Sequence, residues 1–220
     1  MATELQCAPS DLVELELYLA DTQPARIGGI HEEFIHAPRL DNQFSAYTAI
    51  RGLVNSMPSL KDESFVRIVC LYDHEEVGSR SFQGANSVYT ECILRRVVES
   101  LSSNAAEAMD SGSTCGGSSD APNNTSGGGA ERCLFERTMT RSFILSADQA
   151  HAVHPSWPEK HEPSHKPAFH QGLVLKHHCS QSYATNGLTS AIVKEIARRS
   201  SVPLQVNINM SPSLCSMSRD

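Results

Sequence analysis

The sequence predicts an α/β fold in which helices flank a mixed, largely parallel sheet. Strand-like and helix-like stretches alternate along the 220 residues, which is typical of helices packed on a sheet. The stretches at 64–72 and 142–148 are rich in apolar residues, as are strands buried within a parallel sheet. Acidic residues stand at the ends of both stretches. Ligands in such folds bind beyond the carboxyl ends of the strands, so these acids mark the expected site.

Each predicted element follows from the spacing of its apolar residues. The segments predicted as strands are 12–20, 64–72, 142–148 and 172–179, the first of them because apolar and acidic residues alternate along it. Helices are predicted where apolar residues recur every three or four positions, at 41–57, 85–102 and 185–200. Thr185 or Asn186 is the predicted cap of the last helix.

The composition indicates a soluble globular protein, with 40% apolar and 20% charged residues. The formal charge of −7 and the lack of a basic patch argue against nucleic acid as a partner. No apolar run is long enough to cross a membrane, and the first residues do not resemble a signal peptide. The seven cysteines include no C-x-x-C pair, which favours reduced thiols and a cytoplasmic location.

Residues 103–131 interrupt the pattern with a stretch dominated by Ser, Gly, Ala and Asn. Such a low-complexity stretch cannot bury enough apolar surface to offset the entropy lost on ordering it. Strand-like sequence resumes after it. We therefore expect a disordered surface insertion rather than a domain boundary.

Four acidic residues are the candidates for a metal site. Asp41 begins a predicted helix, Glu75 and Glu76 follow one predicted strand, and Asp148 ends another. Taken singly, Asp41 is explained as a helix N-cap and the glutamates as the first turn of a helix. Taken together at strand ends, clustered carboxylates repel one another, and a divalent metal relieves the repulsion. One glutamate can then bind metal while the other deprotonates a bound water, which suits two-metal hydrolysis.

Histidines are concentrated in one proline-rich segment, which indicates a structured loop. Those between residues 151 and 178 are His151, His154, His161, His165, His170, His177 and His178. Histidine is the commonest metal ligand, but the spacing matches no structural-zinc pattern. Polar surface is the better explanation for most of them, and a mononuclear zinc site is the alternative.

Four stretches together resemble the aspartyl aminopeptidase family. They are "ADTQPARIGGIHEEFIHAPRLDNQFSAYTAI", "LYDHEEVGSRSFQGANS", "SFILSADQAHAVHPSWPEKHEPSHKPAFHQGLVLKHHCSQSYATN" and "IARRSSVPLQ". The resemblance covers residues 12–100 and 133–206. It implies a partial, zinc-peptidase-like catalytic domain over 1–220 that removes N-terminal Asp or Glu from peptides. It also implies two zinc ions, with manganese as a possible substitute, and a homo-oligomer.

The resemblance also implies roles for individual residues. Asp41 resembles the carboxylate that bridges both metals, Glu76 a ligand of one metal, and Asp148 a ligand of the other. Glu75 resembles the general base. The residues that resemble substrate contacts are His151, Lys176 and Tyr183. A lysine in the pocket favours an acidic substrate side chain and leaves an apolar one unpaired.

The chain also departs from the family's pattern. Two metal-ligand histidines of the family, one upstream and one near the C-terminus, have no counterpart, and the tail at 207–220 diverges. We therefore expect this chain alone to be a poor enzyme or an unstable one. The enzyme interpretation holds if His154, His161 or His170 substitutes for them. The alternatives are an inactive fragment that binds family subunits, and metal binding without turnover.

Overall fold

The computed structural model describes residues 1–110 and 133–209. Its helices are α1 (Ala2–Leu5), α2 (Leu40–Ser56), α3 (Tyr89–Asp110), α4 (Leu134–Met139) and α5 (Gly187–Arg199). Its strands are β1 (Arg26–Gly28), β2 (Phe34–His36), β3 (Leu173–His178) and β4 (Leu204–Asn209). Across these ranges, no helix is both long enough and apolar enough to cross a membrane. The chain divides into two compact units, of which the first consists of Met1–Arg67 and Ala147–Gln149.

The first unit contains a short hairpin and a long helix. β1 and β2 pair antiparallel, with Gly28 opposite Phe34. Gly29, directly after β1, has a φ of 94°, so the turn between the strands favours glycine at this position. The helix α2 confirms the prediction at 41–57.

The apolar side of α2 is largely exposed among the described residues. Phe44, Tyr47 and Ile50 recur at three-residue steps and therefore lie along one side of the helix. Their exposed fractions are 51%, 62% and 42%. Ser45 is the residue of this helix that is buried. The sequence pattern thus marks a packing face, and the described part of the chain leaves that face open to solvent.

The second unit contains a β–α–β arrangement. β3 and β4 pair in parallel, with Lys176 opposite Asn207, and α5 connects them along the chain. Parallel strands need such a crossover, and helices with strands in this order confirm the predicted α/β class. β3 confirms the strand predicted at 172–179. The predicted divergent tail, 207–220, begins inside β4, and residues 210–220 lie outside the described residues.

The cap of α5 is formed by two reciprocal hydrogen bonds. Asn186 Oδ1 accepts from the backbone N–H groups of Leu188 and Thr189, each at 3.0 Å. Thr189 Oγ1 accepts in return from the Asn186 N–H at 2.9 Å. These bonds satisfy donors that a helix start leaves unpaired. The helix predicted at 185–200 is confirmed, with Asn186 as its cap.

The helix α3 is longer than predicted and lies further along the chain. The prediction was 85–102, whereas α3 begins at Tyr89 and ends at Asp110. It therefore includes the first residues of the stretch 103–131, where we predicted a disordered insertion. Residues 111–131 lie outside the described residues, and the insertion stays a prediction there.

Three predicted strands are wrong, at 12–20, 64–72 and 142–148. Among the described residues there are two sheets of two strands each, and these segments belong to neither of them. Their side chains are mostly exposed, as Ile144 illustrates at 85%. The strands β1, β2 and β4 are not predicted from the sequence. An apolar pattern sets the preference of the side chains, but a strand forms only where a neighbour provides the backbone partners.

Candidate functional site

Asp41 and Asp148 lie on two segments that are held together within the first unit. Asn42 Nδ2 donates to the Ala147 carbonyl at 2.9 Å, although 105 positions separate the two residues. Gln149 Nε2 donates to the Ser45 hydroxyl at 3.1 Å. The first bond joins the residue after Asp41 to the residue before Asp148. The second bond holds the residue after Asp148. The two predicted metal ligands are thus brought to the same end of α2.

The backbone is kinked at the start of α2, around Asp41. Arg39 is the N-cap residue and makes no side-chain capping bond. Asp41 itself has non-helical φ and ψ of −83° and 114°. An N-cap residue also has non-helical φ and ψ, so the explanation of Asp41 as a helix N-cap stays a prediction beside its role as a metal ligand.

Glu75 and Glu76 lie in a tight turn of the second unit. The Gly78 N–H donates to the Glu75 carbonyl at 2.9 Å, and the φ of Gly78 is 106°, which favours glycine. The Asp73 N–H, just before the turn, donates to the Gln83 carbonyl at 3.2 Å. Both glutamates are exposed, and neither is helical. The explanation of the pair as a helix first turn is therefore wrong.

Lys176 and Tyr183 come together in the second unit. Lys176 lies in β3 and Tyr183 in the loop that follows, and both side chains are half-buried. The Lys176 ammonium lies 5.9 Å from the centroid of the Tyr183 ring, which is within the range of a cation–π contact. Two of the three predicted substrate contacts therefore share one location.

His151 is in contact with a buried histidine. The centroids of the His151 and His161 rings are 5.5 Å apart, with 66° between the ring planes. His161 is buried. Burial lowers the pKa of His161, and positive charge on His151 and Lys166 lowers it further. The neutral ring that results is the form in which imidazole can bind a metal.

The lowered pKa of His161 has a measurable consequence. In an NMR titration, we expect the midpoint of His161 to lie below its ordinary value of 6.5. His151→Gln should raise that midpoint yet leave it below 6.5, because burial is the larger cause. Since folding favours the neutral ring, the free energy of unfolding should fall as the pH drops through 6.5. Lys160→Gln serves as the control, and a wild-type midpoint at or above 6.5 would contradict the prediction.

Two other histidines of the loop have local partners. The His154 ring lies 4.5 Å from the Trp157 ring, centroid to centroid, and its Nδ1 accepts from the Ser156 N–H at 3.1 Å. His165 Nδ1 is paired with the carboxylate of Glu162, and this bond lowers the pKa of Glu162. Local packing therefore accounts for both histidines.

No complete metal centre is assembled in the described structure. Within 1–110 and 133–209, no three His, Cys, Asp or Glu side chains lie close enough together to hold a metal ion. The donor chemistry nevertheless fits the predicted metals, because carboxylate oxygen and neutral imidazole are both ligands of zinc and manganese. The roles of Asp41, Glu76 and Asp148 as ligands stay predictions.

Comparison with protein families identifies the relatives of this chain. Residues 1–121 and 123–216 match the family model of the Aminopeptidase I zinc metalloproteases, M18. The chain belongs to the M18 family. An M18 relative, the aspartyl aminopeptidase of Caenorhabditis elegans, is 42% identical over 217 residues, which are 98% of this chain and 40% of the relative. The aspartyl aminopeptidase of Aspergillus oryzae is 37% identical over 98% of this chain and 41% of the relative.

Solved structures of related aminopeptidases resemble the chain. The cryo-EM structure of the Ape4 and Nbr1 complex matches with a TM-score of 0.69 and 34% identity, over 90% of this chain and 34% of that one. The crystal structure of yeast aminopeptidase 1 matches with a TM-score of 0.58 and 28% identity, over 90% and 40% of the two chains. This chain thus spans about 40% of the length of the curated M18 relatives.

One residue near Lys176 and Tyr183 was not among the predicted site residues. The ring of His178, the last residue of β3, stands edge-on to Tyr183 with 6.1 Å between the centroids. The sequence contained one signal for it, since His178 follows Lys176 by two positions and strand residues two apart share a face.

Proposed function

We propose that this chain carries the catalytic carboxylates of a zinc-dependent aminopeptidase that removes N-terminal Asp or Glu from peptides. The observation that carries the proposal is the bond between Asn42 and Ala147 at 2.9 Å, because it joins the Asp41 and Asp148 segments in a chain of the M18 family. Carboxylates that are brought to the same end of a helix from distant parts of the sequence can serve as ligands of one divalent metal site.

The metal-binding part of the proposal rests on the three carboxylates. Asp41 would bridge two metal sites, with Glu76 and Asp148 each completing one of them. Bound zinc would supply Lewis acidity, and manganese could replace it. Glu75 takes the proton of the attacking water and delivers it to the leaving amine. Its place in a turn next to Glu76 suits this division of roles, because adjacent side chains point in different directions.

The substrate preference rests on Lys176 and its surroundings. Lys176 is half-buried with its ammonium beside the Tyr183 ring, and a substrate carboxylate there could accept a charge-assisted hydrogen bond from it. An apolar N-terminal side chain has no acceptor for a hydrogen bond from this ammonium. His151 lies beside His161 and would contact the substrate as well.

The proposal extends to assembly and location. The S. cerevisiae mApe1 of known structure is a dodecamer. The exposed apolar side of α2, with Phe44, Tyr47 and Ile50, supports a homo-oligomer for this chain, because association would bury it. Cysteines at 7, 70, 92, 133 and 179 are free thiols, which supports a cytoplasmic location.

The test is hydrolysis of Asp-, Glu- and Leu-p-nitroanilide by the purified 220-residue chain, with and without zinc or manganese. We expect metal-dependent release that favours the acidic substrates by roughly 10- to 100-fold, the value of one hydrogen bond to a charged group. Equal release from Leu-p-nitroanilide would contradict the acidic preference. No release from a folded, soluble chain would contradict the activity of this chain and would favour the inactive fragment.

A further inference from the structure

His178 carries a buried polar atom without a partner. The residue is 8% exposed, and its Nε2 makes no hydrogen bond among the described residues. A buried donor or acceptor that stays unpaired costs about 1–3 kcal/mol, so native proteins retain few of them. Such an atom at the carboxyl end of a parallel strand lies where α/β proteins bind ligands.

The hydrogen bonds of Ser180 fix which ring nitrogen of His178 carries the proton. The Ser180 backbone N–H lies 3.2 Å from Nδ1, and a backbone N–H can only donate. Nδ1 is therefore the acceptor, and the Ser180 hydroxyl, at 2.8 Å, lies against the same nitrogen. The ring proton accordingly sits on Nε2. In this tautomer Nε2 is a hydrogen-bond donor and is not available as a metal ligand.

The surroundings of His178 are those of Lys176. Both residues belong to β3 and lie two positions apart, so their side chains leave the same face of the strand. Both contact the ring of Tyr183, His178 edge-on at 87° and the Lys176 ammonium at 5.9 Å from its centroid. Two donors, one cationic and one neutral, therefore flank a single aromatic ring.

We propose that His178 is a specificity-determining residue whose Nε2–H donates to the side-chain carboxylate of the substrate's N-terminal Asp or Glu, while Lys176 pairs with the second oxygen. The inference rests on the proposed function and adds a second donor to it. A carboxylate offers two acceptor oxygens for two donors. A side-chain amide offers one oxygen, and its NH₂ group would face a donor, which disfavours Asn and Gln at this place.

The experiment compares two nearly isosteric probes, L-aspartic acid amide and L-asparagine amide, by isothermal titration calorimetry on the zinc-supplemented chain. We expect the wild type to bind the aspartic acid amide more tightly. His178→Phe keeps an aromatic ring but loses the donor. It should lower the affinity for the aspartic acid amide by roughly 10- to 100-fold while changing the affinity for the asparagine amide by less than about threefold. His178→Gln, which places an N–H near the Nε2 position, should retain most of the preference. His177→Gln, on the opposite face of β3, is the matched control.

The outcomes separate this inference from the proposed function. A wild-type chain that binds both amides equally, or neither, would overturn the acidic substrate class and with it the role of His178. A wild-type preference that survives intact in His178→Phe would overturn only the role of His178, as would an equal loss for both ligands. If His178→Phe fails to fold, NMR of the wild-type ring N–H decides. The Nε2 proton of His178 should shift with the aspartic acid amide and not with the asparagine amide, and an unchanged resonance would overturn the inference.

Discussion

Glu75→Gln is expected to lower kcat for Asp-p-nitroanilide by roughly 10²–10⁴-fold, the usual contribution of a general base, and to leave the metal content unchanged. The amide has the shape of the carboxylate but cannot accept the proton of the attacking water. The fold of the turn should survive, because the bond from Gly78 at 2.9 Å uses the backbone carbonyl of Glu75 and not its side chain. Steady-state kinetics and elemental analysis of the same preparation would measure both effects.

Asp73→Asn is the matched control for this variant. Asp73 is exposed and stands two positions before Glu75, and its Oδ1 accepts from the His74 N–H at 2.8 Å, a bond that an asparagine oxygen can also accept. We expect the control to keep kcat within about threefold, since a change at an exposed surface residue is usually small. A Glu75→Gln chain that retains its activity would refute the assignment of the base. Loss of metal in that variant would instead identify Glu75 as a ligand.

The substitution Asp41→Asn is also expected to have a large effect, the loss of both metal ions. Asp41→Asn replaces a charged bridging ligand by a neutral amide at the position that both ions would share. Changes in the residues that merely orient a ligand cost roughly 10- to 100-fold in metal affinity, so loss of a ligand should exceed 100-fold. Asp148→Asn should remove only one ion, because Asp148 would contact one. Metal content by mass spectrometry after dialysis, in ions per chain, distinguishes the two variants.

Asp62→Asn is the control for the metal measurement. Asp62 is an exposed acid of the same unit, at the end of the short 3-10 helix Met57–Asp62. Its replacement by Asn removes the same charge as Asp41→Asn. Its metal content should equal that of the wild type. If Asp41→Asn retained both ions with wild-type affinity, the bridging role would be wrong. If Asp148→Asn lost both, the two carboxylates would act as one site.

The parts of the fold that the sequence predicted are the locally determined ones. The helix at 185–200 has its apolar spacing and its Asn186 cap within a few residues of one another, and α5 forms there. The apolar runs at 64–72 and 142–148 carry an equally clear pattern but form no strands. A strand depends on a partner from elsewhere in the chain, and the sequence pattern does not name that partner.

The candidate site divides in the same way. The sequence placed Glu75 and Glu76 in the candidate site because they follow an apolar run, but it predicted a strand before them rather than the turn in which they lie. The sequence also placed Asp41 and Asp148 in one site, but it did not indicate the bonds from Asn42 and Gln149 that join their segments across 105 and 104 positions. His178 was not predicted as a site residue, because its burial and the two Ser180 contacts at Nδ1 exist only in the folded chain.

The contacts of His178 with Ser180 and Tyr183 set the thermodynamic character of the site. A long side chain that is immobilised only on binding loses about 0.5–1.5 kcal/mol of rotational freedom at that moment. The His178 ring has already incurred this loss during folding, because Ser180 holds one edge of the ring and Tyr183 flanks it. Recognition of a carboxylate there would therefore use a rigid neutral donor, and its fixed orientation would set the direction from which the carboxylate binds.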